Sequence, residues 1–467
     1  MSRQPFRYGG RRERATDRLV RSWISSQVRI YRDGTVATAS GLATGPGSRT
    51  HRLICVVSDR RATARREPRA VGRRGVRGLS CVAAPSQKVV LVPLSVGFLS
   101  TYPPTQCGLA SFTASLRDQL VAAGCRSGVV RVVDKPESIV GSDVVCHLVP
   151  QSVAAQARAA AALDEFDVAI VQHEFGIYGG ADGDEVLGVL DRLTVPVIVV
   201  LHTVLTTPTR HQREVLERVI GRADAVITMT KTACTRLLEC YDVDAAKVVV
   251  IPHGAIDSTR VGAPHPRLGP PTILTWGLLG PGKGIESVID VLPDLRRLDL
   301  RLRYNVVGQT HPRVLERDGE AYRTSLFIRA AARGVADMVA FDASYLDVAS
   351  LQRVVAQADV VVLPYESREQ VTSGVLIEAV AAGKPVVATA FPHAVELLGQ
   401  GAGLVVPHND RRALAHAIRR VLVEPGLAAS MADRSGRVAP ELRWSSVAAR
   451  YRELADTLVA ATSTLVA

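Results

Sequence analysis

From Val89 onward the chain alternates short β-branched runs with longer stretches in which apolar residues recur every three or four positions. The first pattern suits a buried strand and the second an amphipathic helix, so their alternation predicts βαβ units around parallel sheets. Strands are expected at Leu94–Ser100, Val129–Val133, Val144–Val149, Val168–Gln172, Val197–Leu201, Ala225–Met229 and Val248–Pro252, with helices such as Ser111–Ala123 and Arg210–Ile220 between them. A Pro- and Gly-rich stretch, Gly262 to Pro271, then interrupts the pattern and reads as a linker. The alternation resumes with strands at Thr272–Gly277, Leu302–Gly308, Met338–Asp342, Val360–Pro364 and Val386–Ala390, and closes with helical periodicity over Arg411–Val423 and Ser445–Val459. The expected fold class is α/β, with two doubly wound, Rossmann-like domains over 89–265 and 266–440 and a terminal helical segment over 441–467. Sheets of this kind bind ligands at the carboxyl ends of their strands, so the chemistry should sit just after each strand.

Residues 1–88 lie outside this pattern. They are rich in Arg, Gly and Ser, and only Leu53–Val57 has the look of a strand. Residues 1–90 hold 20 Arg plus Lys against 5 acidic residues, while the whole chain carries +12, which leaves the remainder at −3. The basic charge thus belongs to the extension and not to the folded body. That body also lacks basic residues interleaved with aromatic ones, so no nucleic-acid partner is expected. Charge runs of this composition stay solvated, and the extension is expected to be disordered. A basic arm making peripheral contact with an anionic membrane surface is the alternative reading.

Seven cysteines are scattered without a C-x-x-C pair, which argues against a zinc site or a disulfide framework and for a reducing compartment. No apolar stretch follows the N-terminal arginines as a signal peptide would require, and the longest apolar run, Val89–Leu99, is interrupted by Pro93. A cytoplasmic protein is expected, with any membrane contact at the inner face.

Three loops carry candidate chemistry. After the strand Val360–Leu363 comes a polar loop, and Thr372-Ser373-Gly374 then opens a helix. The free N–H groups and dipole of such a helix start form an anion site suited to a diphosphate. Glu378, one turn further, can reach a ribose diol. Any αβ crossover can have a Ser or Thr that merely caps its helix, but the whole run is more specific than its parts. The second loop, Gly277-Leu-Leu-Gly-Pro-Gly282-Lys283-Gly284, is nearly a P-loop, except that Gly284 stands where the Mg²⁺-binding hydroxyl should be. The third follows the first strand and places Gly108 at a helix start, where the missing Cβ permits close approach of a ligand. His202 follows the strand Val197–Leu201, and His173-Glu174 follows Val168–Gln172, as candidates for a cleft-facing histidine and for acceptor binding. Asp182-Gly-Asp184 imitates a metal-binding Asp-x-Asp motif, but its place ahead of a helix reads as capping, and no metal is expected.

Together these segments resemble the retaining glycosyltransferases of family 4, glycosyltransferase group 1. The resemblance spans roughly residues 91–460 and implies a GT-B fold, in which the two domains face a cleft and the last helix, from Trp444 on, crosses back to the first domain. In that family two glutamates eight positions apart flank the diphosphate loop. The second, which binds the ribose, corresponds to Glu378. The first, which contacts sugar hydroxyls, corresponds to Gln370, whose amide can still hydrogen-bond a hydroxyl. Lys283, beside Gly282, matches the family lysine that neutralises the diphosphate, whereas the partner arginine position holds Leu278; Arg368 is the substitute the sequence offers. The resemblance further implies that Ser373 and Gly374 receive the diphosphate, that Gly108 approaches it across the cleft, and that His202 and Lys283 are catalytic.

The implied reaction moves a sugar from a nucleoside-diphosphate-sugar to a hydroxyl of a carbohydrate, glycolipid or small-molecule acceptor, with retention of configuration and no cofactor beyond the donor. Two alternatives are a GT-B sugar epimerase or phosphorylase and, from a different class, a protein that binds nucleic acid or membrane surfaces through its basic arm.

Overall fold

The computed structural model describes residues 93–139, 141–257, 269–298 and 300–466. The basic extension and most of the expected linker lie outside these residues.

Seven parallel strands form the first sheet: β1 (Ser95–Ser100), β2 (Arg126–Val132), β3 (Val144–Leu148), β4 (Val168–His173), β5 (Val197–Leu201), β6 (Ala225–Thr228) and β7 (Val248–Val250), in the order β3-β2-β1-β4-β5-β6-β7. Helices α1 (Gly108–Ala122), α2 (Val153–Leu163), α3 (Val186–Leu190), α4 (Arg210–Gly221) and α5 (Lys231–Cys240) cover it. The second sheet holds β8 (Thr272–Trp276), β9 (Arg303–Val307), β10 (Val339–Asp342), β11 (Val360–Leu363), β12 (Val386–Thr389) and β13 (Gly403–Val406), in the order β10-β9-β8-β11-β12-β13. Around it pack α6 (Ile285–Arg296), α7 (Pro312–Asp318), α8 (Ala321–Ala332), α9 (Val348–Gln357), α10 (Gly374–Ala381), α11 (Pro392–Leu398), α12 (Arg411–Val423) and α13 (Leu427–Leu442). A last helix, α14 (Trp444–Val466), returns to the first sheet, where Trp444, Val447 and Tyr451 join Phe98, Phe112 and Leu116 in one buried cluster. The fold is GT-B: two Rossmann-like α/β domains.

The strands read as continuous apolar runs because helices cover both faces of each sheet. Strand starts are fixed by a repeated device. Asp167, Asp224 and Asp359 each precede a central strand, and each accepts the first N–H of the neighbouring strand through its carboxylate: Ser95 at 2.7 Å, Val197 at 2.8 Å and Thr272 at 2.6 Å. Their own N–H groups donate back to the carbonyls of the same three residues. Asp359→Ala would leave the Thr272 N–H without its charged acceptor, and should lower stability by about 2 kcal/mol in urea denaturation.

Two departures from the sequence expectation have clear causes. β2 begins at Arg126 and pairs with β1 from Ser95↔Arg126 onward, although Ser127 and Gly128 break its apolar run. The Phe166 ring fills the space over both strands: a Cβ at Gly97 would lie 2.7 Å from it, and one at Gly128 2.6 Å. The unexpected β13 is a half-buried edge strand of four residues, and Gly403 lies so close to β12 that a Cβ there would come within 2.5 Å of the Val386 carbonyl oxygen.

In each sheet the strand order reverses once, between β1 and β4 and between β8 and β11. Ligand crevices in open α/β sheets form at such switch points. The loops leaving β1, β4, β8 and β11 contain Gly108, Glu174, Lys283 and Gln370, so the topology gathers candidates that are far apart in sequence. Among the described residues no helix is long and apolar enough to cross a membrane.

Candidate active site

The β8 loop is drawn tightly against the β11 loop. Gly284 adopts φ +68°, and a Cβ there would lie 1.9 Å from the Pro364 carbonyl oxygen. The Glu366 N–H donates to the Gly282 carbonyl at 2.9 Å, so the two loops are also hydrogen-bonded. This places the Lys283 ammonium over the Tyr365 ring, 4.5 Å from its centroid, and Tyr365 itself is stacked on Phe391 in the core.

The head of α10 packs on the same β8 loop, where a Cβ at Gly277 would lie 3.5 Å from Val375 Cγ2. Ser373 caps it, accepting from the Leu376 N–H at 3.3 Å, while the N–H of Ser373 donates to His393 Nδ1 at 2.8 Å. The Gly374 and Val375 N–H groups are left without an acceptor among the described residues, as expected for the first turn of a helix. A Cβ at Gly374 would come within 2.9 Å of His253 Nε2. The other nitrogen of His253 is 2.6 Å from the Gly254 carbonyl, which makes Nδ1 the protonated nitrogen and leaves a lone pair on Nε2. Glu378 lies one turn into α10. It is half-buried, and surrounding protein pushes its carboxyl up to about 7 against the pull of the Ile256 backbone N–H. Gln370 donates through Nε2 to the Thr372 carbonyl at 3.2 Å, so its amide folds onto its own loop.

The opposite wall is built from the ends of β4 and β5. His173 is fully buried, with neither ring nitrogen partnered, and burial pushes it down to about 4. His202 Nε2 meets Gln172 Oε1 at 2.7 Å; burial, and then the neighbouring His253 and His173, push it down to about 3. Both rings are therefore neutral at physiological pH. Glu174 accepts from Thr203 Oγ1 at 2.6 Å and from the Phe175 N–H at 3.0 Å, while burial raises its carboxyl above the usual range. Gly108 begins α1 with nothing within 4 Å of where a Cβ would stand.

One aromatic ring links the walls. Phe112, one turn into α1 from Gly108, lies 5.0 Å edge-on from both His202 and His253. His253 in turn touches Gly374. The domains also meet directly through Gln309 and Gln106 at 2.5 Å, Ser111 and Tyr345 at 3.2 Å, and Arg313 on the Gly176 carbonyl. On the far side Arg236 reaches the Glu369 carboxylate at 2.9 Å.

The structure thus assembles Lys283, Ser373, Gly374 and Glu378 on one wall and His173, Glu174 and His202 on the other. Leu278 is half-buried, and Arg368 is exposed without an ion pair among the described residues. The capping reading of Asp182 and Asp184 does not hold. The residue preceding α3 is Glu185, which makes no side-chain cap, and Asp182 instead accepts from His211 Nδ1 at 2.9 Å and Gln212 Nε2 at 3.2 Å on the first turn of α4. No group of three or more His, Cys, Asp or Glu able to hold a metal occurs among the described residues. Sequence reasoning overlooked His253 and His393, although both follow strands, β7 and β12, where ligands are expected.

Two family models match the chain, Glycosyltransferase Family 4 over residues 108–258 and Glycosyl transferases group 1 over residues 270–424. Both are glycosyltransferase models, and between them they take in the β4, β5, β8 and β11 loops that build the site. The D-inositol 3-phosphate glycosyltransferase of Kineococcus radiotolerans is 30% identical over 254 residues, which cover 50% of this chain and 57% of that one. The glycogen synthase of Mycobacterium tuberculosis is 30% identical over 234 residues, 49% of this chain and 53% of that one. The match therefore spans little more than half the length of these relatives. Among solved structures, the sucrose-phosphate synthase of Thermosynechococcus elongatus superposes with a TM-score of 0.62 at 19% identity, covering 79% of this chain and all of that one. HepE of Anabaena, in complex with UDP and glucose, gives 0.59 at 16% identity, covering 78% of this chain and all of that one. At these identities the solved structures support the fold.

Proposed function

We propose that this chain is a family 4 glycosyltransferase of the GT-B type, which transfers a sugar from a nucleoside-diphosphate-sugar to an acceptor hydroxyl with retention of configuration. The observation that carries the reading is that the Lys283-bearing β8 loop is packed against both the β11 loop and the head of α10, whose Gly374 and Val375 N–H groups are unpartnered among the described residues. A ligand with two linked anionic groups suits such a site. Glu378, one turn deeper, would accept hydrogen bonds from a ribose diol.

In this reading Lys283 and the head of α10 hold the charge that grows on the departing diphosphate. The facing histidines suit the other half of the transition state. A neutral His202 places no positive charge beside an oxocarbenium-like sugar, and with Nε2 turned to Gln172 its Nδ1 lone pair can accept from a sugar hydroxyl. No protein nucleophile is required: the acceptor proton passes to the leaving phosphate oxygen as the new glycosidic bond forms on the same face. Glu174 would line the acceptor side, with the fully buried His173 behind that surface, and Gly108 would leave room for the donor phosphates.

The raised Glu378 carboxyl gives a pH prediction. A ribose diol donates to the carboxylate form, so binding must expel the proton held below about pH 7. Nucleotide affinity should rise from pH 6 to pH 8, and Glu378→Gln should flatten that rise in calorimetric titrations. In the free protein the sign is opposite: a carboxyl raised in the folded state favours folding below its unfolded value, and that contribution is lost as pH climbs through about 7. The reading as a whole is tested with a panel of UDP-, GDP- and ADP-sugars, scored for nucleotide release and for the anomeric configuration of the product by proton NMR. Release from one donor with a retained anomer is expected. An inverted product would remove the retaining mechanism, and no release from any donor would remove the transferase reading.

A further inference from the structure

We infer that Arg313 supplies the second cation to the donor diphosphate, in place of the side chain missing at Leu278. This rests on the donor-site reading above and adds to it a residue with no counterpart in the β8 loop.

The position follows from how α7 is attached. The Leu279 N–H donates to the Gln309 carbonyl at 2.9 Å, and the His311 N–H donates back to the Leu279 carbonyl at 2.8 Å. The residue beside Leu278 is therefore laced to the segment that opens α7. The first turn of α7 lies on the β8 loop, where a Cβ at Gly280 would sit 3.2 Å from Val314 Cγ2. Arg313 stands between His311 and Val314 on that same turn. After burial, the charges of Arg313 and Lys283 are what hold the His311 imidazole below its ordinary range, so both cations act on one ring.

The guanidinium also reaches out of its own domain. It crosses the cleft mouth to the Gly176 carbonyl, and its charge pulls on the Glu174 carboxyl. Yet it is poorly matched there. A carbonyl uses part of a five-donor fork, and no carboxylate lies within ion-pairing distance of Arg313 among the described residues. The other arginines of α7 and α8 all have one: Arg317 with Asp318 at 2.6 Å, Arg323 with Glu320 at 3.4 Å and Arg329 with Asp290 at 2.8 Å. A guanidinium kept free of carboxylates at the edge of a lysine-bearing anion site is suited to bidentate phosphate binding. Arg368 is also exposed and without an ion pair among the described residues, and it stands on the β11 loop two residues after the Glu366 N–H that holds Gly282, so the test must separate the two arginines.

The test is calorimetric titration of the full chain with UDP, GDP and ADP and with the matching monophosphates, for the native protein and for Arg313→Ala, Arg368→Ala and Leu278→Arg/Arg313→Ala, with circular dichroism as the folding control. Loss of one charge-assisted contact should reduce the preference for diphosphate over monophosphate about 10-fold in Arg313→Ala. Arg368→Ala should leave it unchanged, and adding Leu278→Arg should restore much of it. An unchanged preference in Arg313→Ala, an equal loss for both nucleotides, a loss found in Arg368→Ala instead, or no recovery with Leu278→Arg would each overturn the inference while leaving the donor site standing. A native protein that binds no nucleotide would overturn the donor-site reading and this inference together.

Discussion

Lys283→Met is expected to fold normally, to bind donor several-fold more weakly and to turn over at least ~100-fold more slowly than the native protein. Methionine keeps most of the aliphatic stem that lies over Tyr365, so the packing of the β8 loop against the β11 loop survives. The lost cation–π contact is worth only about 0.5–1 kcal/mol, too little to unfold a domain with its own large buried core. The charge is another matter. Negative charge on the leaving diphosphate is greatest when the glycosidic bond is nearly broken, so a fixed ammonium stabilises the transition state more than bound donor. The defect should therefore appear mainly in kcat, with a smaller rise in donor KM. Rate and affinity measured side by side check this. A folded variant with near-native turnover would show that Lys283 does not face the leaving group.

The second large effect is expected from Gly284→Ala, which alters backbone geometry and removes no charged group. At φ +68° an alanine is strained by about 1–2 kcal/mol, and its Cβ would stand 1.9 Å from the Pro364 carbonyl oxygen, a backbone atom at the end of a buried strand that cannot rotate away. The loop must move outward, carrying Lys283 off Tyr365 and away from α10. We expect a stability loss of roughly 2–4 kcal/mol and a donor affinity lowered at least ~10-fold even where the protein remains folded, since Lys283 would be displaced from the phosphate. Thermal unfolding and nucleotide titration read the two effects separately. A variant that melts and binds like the native chain would mean that the β8 and β11 loops are not held together as described.

The fold was legible because its signal is simple. Central strands covered on both faces are nearly unbroken runs of Val, Ile, Leu and Ala, and β5, Val197–Leu201, falls on the expected residues. Where a strand is finished by another part of the chain the pattern fails: β2 looks polar and glycine-broken because Phe166 supplies the apolar cover that its own side chains lack. The candidate residues of the β8 and β11 loops could be picked out from two short segments, which hold Lys283 and then Ser373, Gly374 and Glu378. His253 was missed although it follows a strand, because the loop after β7 carries no other mark. Arg313 had no local signal at all: its interest comes from the lacing of α7 to Leu279 and from a carbonyl 137 residues away in the other domain. Gln370 shows the opposite limit, for spacing gave its position while the direction of its amide depends on the Thr372 carbonyl beside it.

The central claim is that the β8/β11 switch point holds the diphosphate of a nucleotide donor. The most direct measurement is a crystal structure of the chain with the nucleoside diphosphate selected by the titrations. The account predicts phosphate oxygens about 3 Å from Lys283 Nζ and from the Gly374 and Val375 amide nitrogens, with both ribose hydroxyls on the Glu378 carboxylate. A diphosphate bound away from Lys283 and the head of α10 would contradict it.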